Sequence, residues 1–328
     1  MDCHKKSLLI ASLNHRKTKA LLYYLFISVA MVILNSEIFA LNTAIGINAG
    51  YDNNVNSTPE ASGSSFTACH LHLNHMISHE KAFGKSSIYL NSFYKNYSRF
   101  EDNLSVNAGA YYSCFPDSSR LMMLGLIEGG LYRDEENVLD ELNRIKTGGQ
   151  LKFFYNGRIT FEFSQFFNWN DYLESVEELV WNESGTESGN TDVLTEIKTE
   201  KRNDCYMSSD LGMSVRLHPM LNMTMFALYN RLLSNIQTEA YDGFGSSIFF
   251  RFSPDPSWGI STEASLWKNN YDDSADRTDL FRSAGLLINY FLDRYELFIR
   301  IDLMDNNSSL EYETYNRLVT QCGFSIFF

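Results

Sequence analysis

This chain of 328 residues is short of proline, cysteine and positive charge, with 5 Pro, 5 Cys and 27 Lys plus Arg against 40 Asp plus Glu. The formal net charge of -13 leaves no basic stripe of the kind a nucleic-acid partner requires, and that class of function is excluded. Long apolar runs are also scarce. The longest, residues 21–34 interrupted by Ser28, falls short of the roughly 20 residues a helix needs to cross a bilayer. A helical membrane protein is therefore excluded, and the 14% aromatic content excludes a disordered chain.

The N-terminus has a recognisable order. Lys5, Lys6, Arg16, Lys17 and Lys19 precede the apolar run, and Ile38, Phe39 and Ala40 follow it. A basic region, an apolar region and a small-residue end predict a secretory signal peptide over residues 1–40, with an uncleaved N-terminal anchor as the alternative. That segment holds five positive and two negative charges, so its removal takes the net charge from -13 to -16. Cys69, Cys114, Cys205 and Cys322 remain, scattered and without a CxxC, and are expected to be mostly unpaired.

From residue 41 onward the dominant period is two, the period of strands. Ile45, Ile47, Ala49 and Tyr51 alternate with Ala44, Gly46, Asn48 and Gly50; Tyr295, Leu297, Ile299, Ile301 and Leu303 oppose Glu296, Arg300 and Asp302. About fourteen such stretches follow one another, near 43–52, 66–79, 86–98, 104–115, 120–133, 144–155, 158–170, 204–217, 222–234, 242–252, 258–269, 280–292, 295–304 and 315–328. The facing of the fifth and ninth is ambiguous, and a helical pattern is expected only near 171–181. All five prolines, Pro59, Pro116, Pro219, Pro254 and Pro256, fall between stretches, where a missing N–H costs no ladder hydrogen bond.

The connections alternate in length. Asn156-Gly157, His218 to Leu221, Pro254 to Pro256 and Asp293-Arg294 are tight, whereas 53–65, 134–143, 171–203, 270–279 and 305–314 are mostly longer and acidic; the link around Glu101 and Asp102 breaks the rule. Short turns at one end and long loops at the other predict an all-β, transmembrane up-and-down antiparallel β-barrel of about 14 strands over residues 41–328. Apolar faces then meet lipid, polar faces line the interior, and closure leaves no strand edge in hydrocarbon.

The chain ends with Leu318, Thr320, Cys322, Phe324, Ile326 and Phe328 on one face. This ending resembles the signal by which Gram-negative outer-membrane barrels are recognised for insertion. The resemblance implies a cell outer membrane location, with Phe324, Ile326 and Phe328 as the insertion signal. Gly50-Tyr51-Asp52-Asn53-Asn54-Val55-Asn56 is similar to the stretch that opens the barrel domain of surface lipoprotein assembly modifiers and of barrels encoded with polysaccharide export systems. Tyr312, Tyr315, Asn316 and Arg317 look like the closing hairpin of the same group. Those modifiers usually carry tetratricopeptide repeats before the barrel, and no such helical repeat precedes this one.

Chemistry-bearing residues are spread along the polar faces. His70 and His72 share a face at i, i+2 and are weak candidates for a metal; polar lining is the simpler reading. No activated nucleophile is legible, so no catalytic residues, cofactor or enzyme activity are expected. Lumen-lining candidates are Lys152, Arg158, Glu162, Arg216, Arg251, Glu263, Arg300 and Asp302. With Lys95, Glu128, Asp210 and Glu296 added on the same parity, six cations face six carboxylates, and this near balance gives no preference for one ion sign. The segment 171–203, net -6, is read as a solvated surface loop, the alternatives being a constriction folded into the lumen, a site for divalent cations beside lipopolysaccharide, or a contact for an external partner. The reading that follows is a porin-like or transport channel for a small solute or surface molecule. The alternative is a non-conducting barrel that assists surface polysaccharide or lipoprotein assembly. Expected partners are outer-membrane lipid, lipopolysaccharide and the barrel-insertion machinery, with no nucleic acid; oligomeric state stays open.

Overall fold

A computed structural model describes residues 41–328 apart from 80–83, 101, 117–119, 135–139, 185–190 and 273–275, and gives only the backbone course at 41, 176–184, 191–198 and 237. The expected signal peptide, 1–40, lies outside the described residues.

Fourteen strands run in chain order: β1 (Leu41–Asp52), β2 (Ser64–His79), β3 (Gly84–Tyr97), β4 (Asn103–Cys114), β5 (Leu121–Asp134), β6 (Leu142–Phe154), β7 (Ile159–Ser184), β8 (Thr191–His218), β9 (Leu221–Ser234), β10 (Tyr241–Phe252), β11 (Trp258–Tyr271), β12 (Thr278–Leu292), β13 (Tyr295–Ser308) and β14 (Tyr315–Phe327). Each pairs antiparallel with its chain neighbours, and β1 pairs with β14 from Ala44 opposite Phe327 to Asp52 opposite Val319, which closes the barrel. Every backbone edge in the wall thereby finds a partner, the condition that hydrocarbon imposes.

The apolar parity faces outward. Ile47 is 63% exposed, Leu211 62% and Phe244 60%, exposures that are untenable in water over so many large side chains but expected of a wall in lipid. Aromatic pairs sit toward both ends of this wall: Tyr229 with Phe244 at 4.9 Å near the long loops, and Trp258 with Tyr290 at 4.9 Å and Tyr295 with Phe324 at 5.6 Å near the tight turns. Along β10, the outward Phe244 and Phe252 are about 27 Å apart at the rise of an extended strand. All four cysteines of the barrel are free thiols, and the register sets each of them on the outward parity, where a thiol serves as a small apolar group.

Two sequence expectations need correction. Residues 171–184 and 191–203 form neither a helix nor a simple loop: β7 and β8 continue antiparallel to Ser184 and from Thr191, with register shifts at Asp171/Ser175 and Val180/Trp181. The backbone register sets Leu179 opposite Ile197 and Glu178 opposite Lys198. The inner face is also less uniformly polar than alternation implied. The register turns Phe66, Phe226, Phe249, Trp267, Phe281 and Phe298 inward. Several of these lie over inward glycines: a Cβ on Gly212 would stand 2.5 Å from the Phe226 ring, and one on Gly323 2.5 Å from the Phe298 ring. Large side chains folded onto glycine-flattened wall fill space that alternation of polarity alone does not reveal.

Candidate functional site

The inner wall carries the chemistry, and period-two facing delivers it there. On β3 to β8 it forms a polar track. Arg144 pairs with Glu128 at 3.0 Å and donates to Asn107 Oδ1 at 2.9 Å, while the Tyr89 hydroxyl donates to Glu128 at 2.7 Å. Lys152 pairs with Glu162 at 2.9 Å, Gln150 donates to the same carboxylate at 2.5 Å, and Ser164 donates to Asp210 at 2.9 Å. Lys146 lies 4.7 Å above the Phe166 ring. On the opposite side, Arg300 donates to both oxygens of Asp302, at 3.0 and 2.7 Å, and reaches Glu263 at 3.5 Å. Asn289 donates to Glu296.

Five of the eight lumen-lining candidates are therefore brought into ion pairs with one another: Lys152 with Glu162, and Arg300 with Asp302 and Glu263. The other three, Arg158, Arg216 and Arg251, are exposed at the end of the tight turns and share one transverse row. The Arg216 N–H donates to the Arg158 carbonyl at 2.8 Å, and Asn222 stands opposite both Arg216 and Arg251. Of the weak metal candidates, His72 Nδ1 meets Asn91 Oδ1, and His70 Nε2 lies 3.5 Å from Ser325 Oγ over the Cα of Gly46. Each is engaged separately, and among the described residues no group of three or more His, Cys, Asp or Glu is placed to hold a metal. Phe324 and Ile326 are on the outward parity of β14, and the Phe328 N–H donates to the Thr43 carbonyl at 2.9 Å.

The end with the long loops is built differently. Asp52, fully buried, accepts from Arg317 Nε at 3.1 Å and Nη2 at 2.5 Å, with Lys95 Nζ at 3.9 Å. Lys95 in turn lies 4.0 Å above the Phe66 ring and 4.3 Å above that of Tyr97. Asn54, also fully buried, donates from Nδ2 to the carbonyls of Thr58 (2.7 Å) and Asn316 (3.1 Å), and its Oδ1 accepts from the Thr58 N–H at 3.2 Å. Asn53 accepts from the Leu318 N–H at 2.6 Å and donates its own N–H to the Leu318 carbonyl at 3.1 Å. The stretch 50–56 and Arg317, far apart in sequence, are thus the two halves of a clasp across the β1 and β14 seam. Gly50 belongs to it, because a Cβ there would stand 2.2 Å from the Thr320 carbonyl oxygen.

Related units recur around this rim. Arg202 pairs with Asp204 (2.7 Å) and Glu239 (3.0 Å) and stacks 4.5 Å over Tyr172. Arg277 pairs with Asp279 (2.7 Å) and Glu313 (3.4 Å), stacks 4.1 Å over Tyr271, and shares Asp279 with the Ser308 hydroxyl at 2.5 Å. These units were missed by sequence reasoning. The signal for them was an Arg two residues before an Asp, at 202/204, 277/279 and 300/302, which puts both groups on one face of a strand.

No protein-family profile and no curated protein sequence matches the chain. Solved structures do. The outer-membrane OmpT of Vibrio cholerae aligns at a TM-score of 0.50 and 6% identity over 88% of this chain and 97% of its own. An anion-selective porin from Comamonas acidovorans aligns at 0.49 and 9% over 88% and 99%. The outer-membrane channel DcaP of Acinetobacter baumannii aligns at 0.49 and 8% over 89% and 99%. At such identities the likeness is one of fold; the closed strand order and the apolar outer wall make this chain a 14-strand transmembrane β-barrel of the outer-membrane type.

Proposed function

We propose that the barrel interior is an aqueous path for a small solute or surface molecule, so that the protein is a porin-like or transport channel. One observation carries this reading: the inner wall bears charged side chains that are exposed, Arg158, Arg216 and Arg251 among them, in a barrel whose strand count exceeds the eight that side chains alone can fill. Lys152, Glu162, Glu263, Arg300 and Asp302 line that path in this reading. The outer wall contacts outer-membrane lipid and lipopolysaccharide, and Phe324, Ile326 and Phe328 serve the insertion machinery. Full-length protein refolded into planar bilayers is expected to give discrete conductance steps, and its proteoliposomes to swell in small sugars or amino acids. Silent bilayers together with non-swelling liposomes would sink the reading.

A second reading, a non-conducting barrel assisting surface polysaccharide or lipoprotein assembly, draws on the meeting of 50–56 and Arg317 in one clasp, since the two stretches that suggest that group form a single unit. A deletion strain with unchanged surface polymer and lipoprotein display would remove it.

A further inference from the structure

By composition, the inward charges of this barrel nearly cancel. The structure breaks that balance by pairing. Among the described residues the inward carboxylates between the rims each have a partner: Glu128, Glu162, Glu263 and Asp302 meet a cation (Arg144, Lys152 and, for the last two, Arg300), while Asp210 and Glu296 accept from the neutral Ser164 and Asn289. Among the described residues, Arg158, Arg216 and Arg251 make no ion pair. They come from the turn before β7, from β8 and from β10, and the row runs Arg158, Arg216, Asn222 of β9, Arg251.

At the spacing of neighbouring strands, the Cα atoms of Arg158 and Arg216 are about 5 Å apart, and those of Arg216 and Arg251 about 10 Å. Guanidinium groups on such a row can converge on one oxyanion, to which their planar forks are matched. Asp255, in the turn that follows the strand of Arg251, accepts from the Ser257 N–H at 2.7 Å. Short turns mark this end as periplasmic. A chain of net charge -13 therefore presents a concentration of unpaired positive charge where a solute enters or leaves from the periplasm.

We propose that Arg158, Arg216 and Arg251 form an anion-binding step at the periplasmic mouth, which makes the channel prefer small oxyanions of the carboxylate and phosphate class. The proposal rests on the channel reading above. A large acidic partner is the weaker fit, because the row is on the concave inner face rather than on the outside of the turns.

The test uses the full chain refolded in planar bilayers under a KCl gradient, then potassium phosphate and potassium citrate. The wild-type reversal potential is expected to show anion preference, and phosphate or citrate to reduce chloride current. In R158Q/R216Q/R251Q the preference should fall by roughly two- to threefold per arginine removed, the size of a unit charge acting across about 7 Å of water. R158K/R216K/R251K should keep most of the preference but lose the block by citrate, since lysine holds the charge without the fork. A cation-preferring or non-selective wild type, or a glutamine variant with unchanged selectivity, overturns the proposal. Should the protein not conduct, citrate binding to the detergent-folded barrel separates the two ideas. Binding lost in the glutamine variant upholds the arginine row while removing the channel; no binding, or binding only of a polyanionic polymer, overturns both.

Discussion

The two rims of this barrel solve opposite problems with the same residue types. At the extracellular rim every cation named above is tied down: Arg317 by Asp52, Arg202 by Asp204 and Glu239, Arg277 by Asp279 and Glu313, the last two also stacked on a tyrosine. At the periplasmic rim Arg158, Arg216 and Arg251 stand exposed and unpaired in one row. A buried, doubly hydrogen-bonded ion pair fixes geometry, because removing one partner strands a charge without solvent. An exposed arginine fixes nothing and is free to meet a ligand. Pairing, rather than the count of charges, separates the structural end of this molecule from its proposed working end.

The largest expected effect is on the seam. Asp52→Ala leaves the Arg317 guanidinium without its buried partner and should destabilise the barrel by about 3–5 kcal/mol in reversible urea unfolding from lipid vesicles. If Arg251→Gln at the other rim proves equally destabilising, the contrast between the rims is lost. Gly50→Val drives a side chain into the Thr320 carbonyl and should cost about 1–3 kcal/mol, read in the same assay or as loss of heat-modifiable mobility.

Smaller effects sharpen the comparison. Lys95→Met retains the stem over Phe66 but removes the charge from two rings and from Asp52, for a loss of about 1–2 kcal/mol. Arg251→Gln should shift stability by no more than about 0.5 kcal/mol, as surface substitutions do. Removal of Phe328 takes away its backbone hydrogen bond to Thr43 across the seam and should cost refolded protein no more than about 1 kcal/mol. The same deletion should reduce the amount assembled in cells several-fold, measured by protease-protected surface labelling. An equal loss in both assays would mean that the terminal aromatic is structural rather than a signal.

Much of the fold was legible in advance. Period-two alternation in β1 and β13, prolines confined to connections and the alternation of short and long links are local properties, set by the pleat and by lipid on one face, and they led to fourteen strands with boundaries mostly within two residues of those observed. The extension of β7 and β8 was not legible, because an acidic, Ser- and Thr-rich stretch has strand character only once the two halves pair across it. Nor were the inward aromatics: Trp267 and Phe281 stack 4.7 Å apart across β11 and β12, a contact visible only from the register.

The sequence by itself therefore determined the class of wall, its approximate strand number and its two dissimilar ends, because each follows from how neighbouring residues meet lipid, water or a turn. Only the tertiary structure decided which charges are spent on one another. Asp52 and Arg317 are separated by almost the whole barrel sequence, and Arg158, Arg216 and Arg251 lie on separate segments. Closure of the sheet and its register bring the first two into a buried pair and leave the other three side by side in the open.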